Sequence, residues 1–137
     1  FLVIISFFFK KPLILYSGEG LQRLAHLGEL KPEVIAVDWR TSLSQAVTQT
    51  GLQACEYCWQ GNLEPQLLSW ASEETVRQRV REIIEEAKSL GLGGHIFNVG
   101  HGLIPTTRPE ALEWVISDSE TSNILKKRTS DASKTQS

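Results

Sequence analysis

Residues 94–105, GHIFNVGHGLIP, join a short apolar run to a histidine between two glycines. The apolar run is long enough for one buried strand and too short for a helix. The glycines on either side of His101 permit a sharp turn that leaves the imidazole exposed at its tip. Residues 107–110, TRPE, form a Thr-x-x-Glu capping box with proline in the first turn, which predicts a helix start. The stretch is therefore a predicted βα unit with a titratable group at the carboxyl end of its strand, where ligands bind in α/β sheets and barrels.

The same alternation of strand and helix recurs upstream. The strands are predicted within residues 12–16, 34–37 and 52–60, and the helical segments within residues 21–28, 43–51 and 64–91. The clearest helix has Ser72 as its N-cap and Gly91 as its C-terminal stop, whereas either Thr41 or Ser42 caps the helix before it. Such alternation predicts a parallel sheet with right-handed crossovers. Four βα units make half of an eightfold barrel.

The composition is that of an ordinary globular domain, with 41% hydrophobic and 22% charged residues among 137. A complete eight-stranded barrel needs about 250 residues, so this length accommodates only part of one. The net charge of −2, without a basic patch, argues against a nucleic-acid partner. No apolar run reaches the length of about 20 residues that a membrane span requires, so no membrane partner is predicted. The two cysteines indicate no disulfide framework, and we expect a reducing, intracellular context.

Both ends of the chain differ from the predicted domain. Residues 1–10, FLVIISFFFK, are an apolar leader that we interpret first as an artefact of the gene model, second as an extra strand and third as a targeting segment. Residues 118–137 are polar without apolar periodicity, which predicts a disordered tail. The sequence contains no methionine, so we expect a fragment, a processed product or a wrongly assigned start.

Three motifs in order carry a family resemblance. Residues 95–105, HIFNVGHGLIP, closely resemble the last barrel strand of the uroporphyrinogen decarboxylase family. Residues 37–40, VDWR, and 60–65, QGNLEP, resemble motifs that lie upstream in that family. The resemblance covers residues 11–117 and corresponds to the C-terminal part of such an enzyme. It implies an α/β fold, the C-terminal half of a (β/α)8 TIM barrel, with four parallel strands and flanking helices.

The resemblance also implies an activity. The family consists of carboxy-lyases that remove the four acetate carboxyls of uroporphyrinogen III to give coproporphyrinogen III, in heme and chlorophyll biosynthesis, without a cofactor. It implies a tetrapyrrole substrate, a homodimer for the full-length protein, and a cytoplasmic location, or a plastid one in a photosynthetic eukaryote. The 137-residue chain alone is expected to be inactive, because the family's arginines and its pyrrole-binding aspartate belong to the N-terminal part.

The resemblance makes His101 a substrate-binding residue and assigns no catalytic or metal-binding residue in this chain. An imidazole at this place can hydrogen-bond a substrate carboxylate, and charge assistance roughly doubles the strength of such a bond. Its titration range also suits proton donation near neutral pH. Carboxylate binding is the favoured role, because the substrate carries many carboxylates. Judged from the residues alone, the alternative is a turn histidine that bonds only to backbone.

Two other polar residues end predicted strands. Asp38 either faces a ligand or caps the following helix near Thr41. It is not expected to take the role of the family's pyrrole-binding aspartate, which lies outside this chain. Asn62 is predicted to fix its strand-to-helix turn through its own side chain.

Cys55 and Cys58 form a lone CxxC motif. A zinc site built with His95 and His101, or a redox pair, is the less favoured interpretation. Residues three apart on a strand point to opposite faces, and there is no second CxxC motif.

Two alternatives to decarboxylation remain. The related cobalamin-linked methyltransferases bind zinc through a His-x-Cys pair and a later cysteine in the last strand's Gly-Cys turn. Here residues 15–18, LYSG, contain no such pair, and the later turn carries His101 after Gly100. We therefore predict no metal and no other cofactor. The second alternative is a non-catalytic remnant of the barrel.

Overall fold

The structure of the chain is a computed structural model, and it describes residues 11–16 and 30–120. The apolar leader at 1–10, the predicted helix at 21–28 and residues 121–137 of the predicted tail lie outside the described residues.

Four parallel strands form one sheet in which spatial order equals chain order. They are β1 (Ile14–Tyr16), β2 (Val34–Ala36), β3 (Cys58–Gln60) and β4 (Gly94–Ile96). In the parallel register, Ile14 pairs with Val34, Val34 with Cys58, and Cys58 with Gly94. The strands are shorter than predicted, but β3 and β4 meet once more where Leu63 bridges Val99. The predicted parallel sheet is confirmed.

Helices flank the sheet. They are α1 (Leu43–Thr50), α2 (Leu67–Trp70), α3 (Glu73–Ser89) and α4 (residues 109–120), with a 3-10 turn at Ala54–Glu56. Ser42 caps α1 by accepting a hydrogen bond from the backbone of Gln45, and Ser72 caps α3 in the same way from Thr75. Gly91 follows α3 with a φ of 61°, a conformation that favours glycine. Within the described residues, the α/β architecture is that of part of a (β/α)8 barrel, with four parallel strands and helices after β2, β3 and β4.

The apolar core lies between the sheet and the helices. Alternation along β1 shows the two faces: Leu15 is buried, while Ile14 and Tyr16 on either side of it are exposed on the opposite face. Core side chains that are 2% exposed or less include Ile35, Val37, Leu43, Trp59, Leu63, Leu68, Val76, Val80 and Ile83. The core thus holds the helices on one face of the sheet and leaves the other face open.

The start of α4 corrects one prediction. Thr107 does not form the predicted capping box, because its buried hydroxyl has no hydrogen-bond partner among the described residues. The backbone N–H of Arg108 instead donates to the carbonyl of Leu68, at 3.0 Å, and the helix begins at Pro109. Arg108 is bonded to α2 and lies outside the helix. Proline occupies the first turn, as predicted.

The last helix continues past residue 117. Asp118 lies within α4 and forms ion pairs with Arg77 and Arg81 of α3, at 2.5 and 3.1 Å. These contacts join α4 to α3. Across residues 11–16 and 30–120, no helix combines the length and the apolar character that crossing a membrane requires.

Candidate functional site

The carboxyl ends of the strands surround a cavity of about 270 Å³ on the open face of the sheet. Its walls come from β1, from β2 and the residue after it, from β3, and from the segment that follows β4. The lining residues are Ile14, Tyr16, Ala36, Val37, Gln60, Asn98, Val99, Gly100, His101 and Gly102. The walls combine aliphatic side chains with one phenol and one imidazole, which suits a ligand with an apolar body and polar arms.

His101 lies on this cavity and is exposed, as its place in the turn predicted. Its ring is nearly parallel to the ring of Tyr16, with an interplanar angle of 17° and centroids 6.2 Å apart. The structure therefore places His101 beside the ends of β2 and β3, where a ligand can reach it. Its role in binding a substrate stays a prediction.

Asp38 follows β2 and is only 6% exposed. Its Oδ1 atom accepts a hydrogen bond from the backbone of Arg40, at 2.9 Å, and the Arg40 guanidinium lies 3.3 Å from both carboxylate oxygens. The Oδ2 atom also accepts from the Tyr16 hydroxyl, at 3.1 Å. The capping alternative is wrong, since Ser42 caps α1. A role of Asp38 towards a ligand stays a prediction.

Tyr16 links the two edges of the sheet. Its hydroxyl lies 3.1 Å from Asp38 and 3.4 Å from the carbonyl oxygen of Gly100, in the turn that follows β4. The sheet must therefore curve enough for the end of β1 to approach the end of β4. The predicted site did not include Tyr16, although an exposed tyrosine at the end of an apolar strand is a signal that could have indicated it.

The position of Gly100 leaves no room for a side chain, because the backbone of Trp39 packs against it. A Cβ atom at Gly100 would be 2.2 Å from the Trp39 backbone nitrogen and 2.7 Å from its Cα atom. The guanidinium of Arg40 lies 5.0 Å from the centre of the Trp39 ring, a cation–π arrangement. The turn that carries His101 is thus packed directly on the segment that follows β2.

Asn62 holds the neighbouring turn rather than its own. The side chain is 1% exposed, and its Nδ2 atom donates to the carbonyl oxygens of Asp38 and Thr41. Its Oδ1 atom is buried and has no partner among the described residues. The peptide bond between Gly61 and Asn62 is cis. Asn62 therefore stabilises the turn between β2 and α1.

His95 lies behind the site, in β4. Its Nε2 atom donates to the carbonyl oxygen of Gly61, at 2.8 Å. Burial lowers the pKa of His95, while the bond to Gly61 and the charge of Glu86 act in the opposite direction. His95 is therefore a neutral structural group near pH 7, and its position differs from that of His101 on the cavity.

The two cysteines occupy different elements. Cys55 is exposed in the 3-10 turn and Cys58 lies half-buried in β3, so the assumption that both lie on one strand was wrong. Burial raises the pKa of the Cys58 thiol, which disfavours its thiolate. Within the part of the chain that the structure describes, no three His, Cys, Asp or Glu side chains come together as metal ligands would.

Comparison with known proteins gives consistent similarities. The family model of uroporphyrinogen decarboxylase (URO-D) matches residues 4–120. The uroporphyrinogen decarboxylase of Streptomyces coelicolor is 44% identical over 110 residues, which are 73% of this chain and 29% of that protein. The uroporphyrinogen decarboxylase of Staphylococcus haemolyticus is 38% identical over 104 residues, 76% of this chain and 28% of that protein. The chain thus spans less than a third of the length of these relatives.

A solved structure shares the fold. A methyltransferase from Methanosarcina mazei superposes with a TM-score of 0.67 at 15% sequence identity, over 88% of this chain and 34% of that one. At this identity the likeness concerns the α/β fold alone.

Proposed function

The chain belongs to the uroporphyrinogen decarboxylase family, and from this premise we propose that the complete protein removes the acetate carboxyls of uroporphyrinogen III to give coproporphyrinogen III. His101 then binds a carboxylate of the tetrapyrrole. The observation that carries the proposal is the exposed imidazole on the cavity at the strand ends, within the part of the chain that the family model covers.

The reaction requires the protein to position the substrate and to provide charged or polar groups around it. In each round the bond between the acetate methylene and its carboxyl breaks and carbon dioxide leaves. The electron pair moves into the protonated pyrrole, and a proton adds to the methylene carbon to give a methyl group. The ring then releases the proton that it had gained, so that each round takes up one proton and the neutral pyrrole is restored. Protein groups contribute by holding carboxylates and by excluding water around this step. The exposed imidazole of His101, as a hydrogen-bond donor, fits the first task, and the aliphatic walls at Ile14 and Val99 fit the second.

The described residues form only part of the binding cleft. Sites for drug-sized ligands have volumes of roughly 300–1,000 Å³, and a tetrapyrrole is at least that large, whereas this cavity measures about 270 Å³. It therefore accommodates one edge of the macrocycle. The Arg40 guanidinium beside it is already paired with Asp38. We propose that the chain by itself binds substrate weakly and does not decarboxylate it.

A hybrid enzyme tests the proposal. Residues 11–117 replace the matched segment of the Streptomyces coelicolor enzyme, and release of carbon dioxide from uroporphyrinogen III is measured for the hybrid and for the 137-residue chain. We expect turnover by the hybrid and none by the chain. A charge-assisted hydrogen bond contributes about 1.5–3 kcal/mol, so His101→Asn in the hybrid should lower kcat/KM roughly tenfold to a hundredfold.

Two controls make the result specific. Arg79→Gln, on the solvent side of α3, should leave kcat/KM unchanged, and neither substitution should change the melting temperature of the hybrid. Unchanged kinetics in His101→Asn would mean that the turn has a structural role and that His101 does not bind the substrate. A hybrid that folds but is inactive would support the non-catalytic alternative. Zinc bound in a 1:1 ratio in the complete protein would support the methyltransferase alternative.

A further inference from the structure

We propose that Tyr16 is a positioning residue for His101, and that it acts through its hydroxyl, which Asp38 holds in place. This inference rests on the proposed function only where it says what His101 is positioned for, namely a carboxylate of the tetrapyrrole. The positioning itself is a property of the described residues and is tested without substrate.

The first argument is the path of hydrogen bonds. The Tyr16 hydroxyl lies within 3.4 Å of the Gly100 carbonyl oxygen, and Gly100 directly precedes His101. The backbone N–H of Gly100 is bonded to the Leu63 carbonyl, at 2.8 Å. Gly100 is therefore held at its carbonyl by Tyr16 of β1, whose single hydroxyl proton is shared with Asp38, and at its N–H by the segment between β3 and α2.

The second argument is the burial of the acceptor. Asp38 is a carboxylate at 6% exposure, and such a group requires hydrogen-bond donors around it. The Tyr16 hydroxyl and the Arg40 guanidinium supply donors to the same oxygen, Oδ2, at 3.1 and 3.3 Å. A phenol that donates to a buried charge has its hydroxyl held in one place, because moving the hydroxyl away loses a charge-assisted bond.

The third argument is the pair of rings. Tyr16 is 47% exposed, so core packing alone does not hold it. Even so, its ring is nearly parallel to the His101 ring, and both line the same cavity. The hydroxyl bonds thus hold the outer end of the phenol in place, and the phenol forms the wall beside which the imidazole lies. Removing only the hydroxyl should release this wall and leave the core intact.

The test uses the full 137-residue chain with histidine labelled by ¹³C at Cε1, observed by NMR. We expect Tyr16→Phe to shift and broaden the His101 signal and to leave the His95 signal unchanged. Tyr57→Phe is the matched control, since Tyr57 lies outside the cavity, and it should move neither signal. Asp38→Asn should shift the His101 signal in the same direction, and the double variant should add little to either single change, because both act through one bond.

A binding experiment separates this proposal from the proposed function. Uroporphyrin is titrated against the hybrid enzyme that carries residues 11–117 and against its Tyr16→Phe variant, and the loss of one hydrogen bond predicts affinity lower by roughly threefold to tenfold in Tyr16→Phe. If uroporphyrin does not bind but the His101 signal moves in Tyr16→Phe, the positioning stands and the proposed function fails. If uroporphyrin binds and shifts His101, but Tyr16→Phe changes neither its signal nor the affinity, the positioning is wrong. A Tyr16→Phe protein that fails to fold is replaced by Asp38→Asn, for which an unmoved His101 signal overturns the proposal equally.

Discussion

The imidazole of His95 donates a hydrogen bond to the carbonyl oxygen of Gly61, with 2.8 Å between Nε2 and the oxygen. Gly61 has a φ of 134°, and a Cβ atom there would lie 2.7 Å from the Val37 carbonyl oxygen. One half-buried side chain of β4 thus supports the turn after β3, which in turn lies against the end of β2. Burial lowers the pKa of His95, so the folded chain disfavours protonation of the ring.

The first prediction concerns acidity. A histidine in the unfolded chain has a pKa of about 6.5, and the pKa of His95 in the folded chain lies below that value. Between the two, the unfolded chain binds more protons than the folded chain, so the free energy of unfolding falls as the pH falls. The full stability is present above about pH 6.5 and is lost progressively down to the native pKa. The melting temperature, measured from about pH 7.5 to 5.5, should therefore decrease.

His95→Gln identifies the group responsible. Glutamine can still donate to the Gly61 carbonyl but does not titrate, so the melting temperature of this variant should depend less on pH over the same range. His101→Asn is the control, and it should keep the full dependence. Equal slopes in His95→Gln and the unsubstituted chain would show that another group causes the effect.

Much of the fold was predictable because its signals are local. The residues of β2 are all buried, so its apolar run shows directly in the sequence. The apolar period and the Ser72 cap of α3 mark a 17-residue helix. Residues 52–60 were less predictable. Only Cys58–Gln60 is a strand, and the 3-10 turn before it is held by the Trp59 indole and the Gly93 N–H, which both donate to Ala54.

One residue of the site, His101, could be predicted from the sequence, whereas the contacts of the others could not. His101 has a local signal, since two glycines flank it after an apolar run. The partners of Tyr16 lie 22 and 84 residues away, and only the curvature of the sheet brings them to its hydroxyl. The orientation of Asp38 was equally hidden, because it depends on Tyr16 as well as on the neighbouring Arg40. Such contacts follow from the curvature of the sheet and leave no periodic pattern in the sequence.

The second prediction concerns the core. Leu68 belongs to α2 and its side chain is completely buried, whereas Leu103, in the turn after His101, is 52% exposed. Leu68→Ala should destabilise the fold by about 2–5 kcal/mol, because it removes buried carbon and leaves a cavity. Leu103→Ala should change stability by less than about 0.5 kcal/mol. Denaturant unfolding of both variants measures the difference, and equal losses would mean that α2 is not packed on the sheet as described.

The third prediction concerns the contact between α3 and α4. Asp118 is bonded to both Arg77 and Arg81, whereas the Lys88–Glu85 pair is exposed within one helix. Asp118→Asn should therefore lower the melting temperature more than Glu85→Gln does. The difference should shrink at about 1 M salt, where screening acts over roughly 3 Å. If Glu85→Gln proves as damaging as Asp118→Asn, the interhelical pairs do not hold α4 in place.

The last prediction compares the two glycines that flank His101. A Cβ atom at Gly100 would lie 2.2 Å from the Trp39 backbone nitrogen, whereas a Cβ atom at Gly102 would have no atom within 4 Å. Gly100→Ala must therefore push the His101 turn away from the segment after β2, at a cost of about 1–3 kcal/mol or more. Gly102→Ala should be neutral or slightly stabilising, because alanine restricts the unfolded chain.

The same two glycine substitutions also test the geometry of the site around His101. In the labelled chain, Gly100→Ala should move the His101 NMR signal, since the bond between Tyr16 and the Gly100 carbonyl cannot keep its length when that peptide shifts. Gly102→Ala leaves this peptide in place and should leave the signal close to that of the unsubstituted chain. A Gly100→Ala protein with unchanged stability and an unchanged His101 signal would mean that the turn does not pack against Trp39, and the geometry on which the site rests would be wrong.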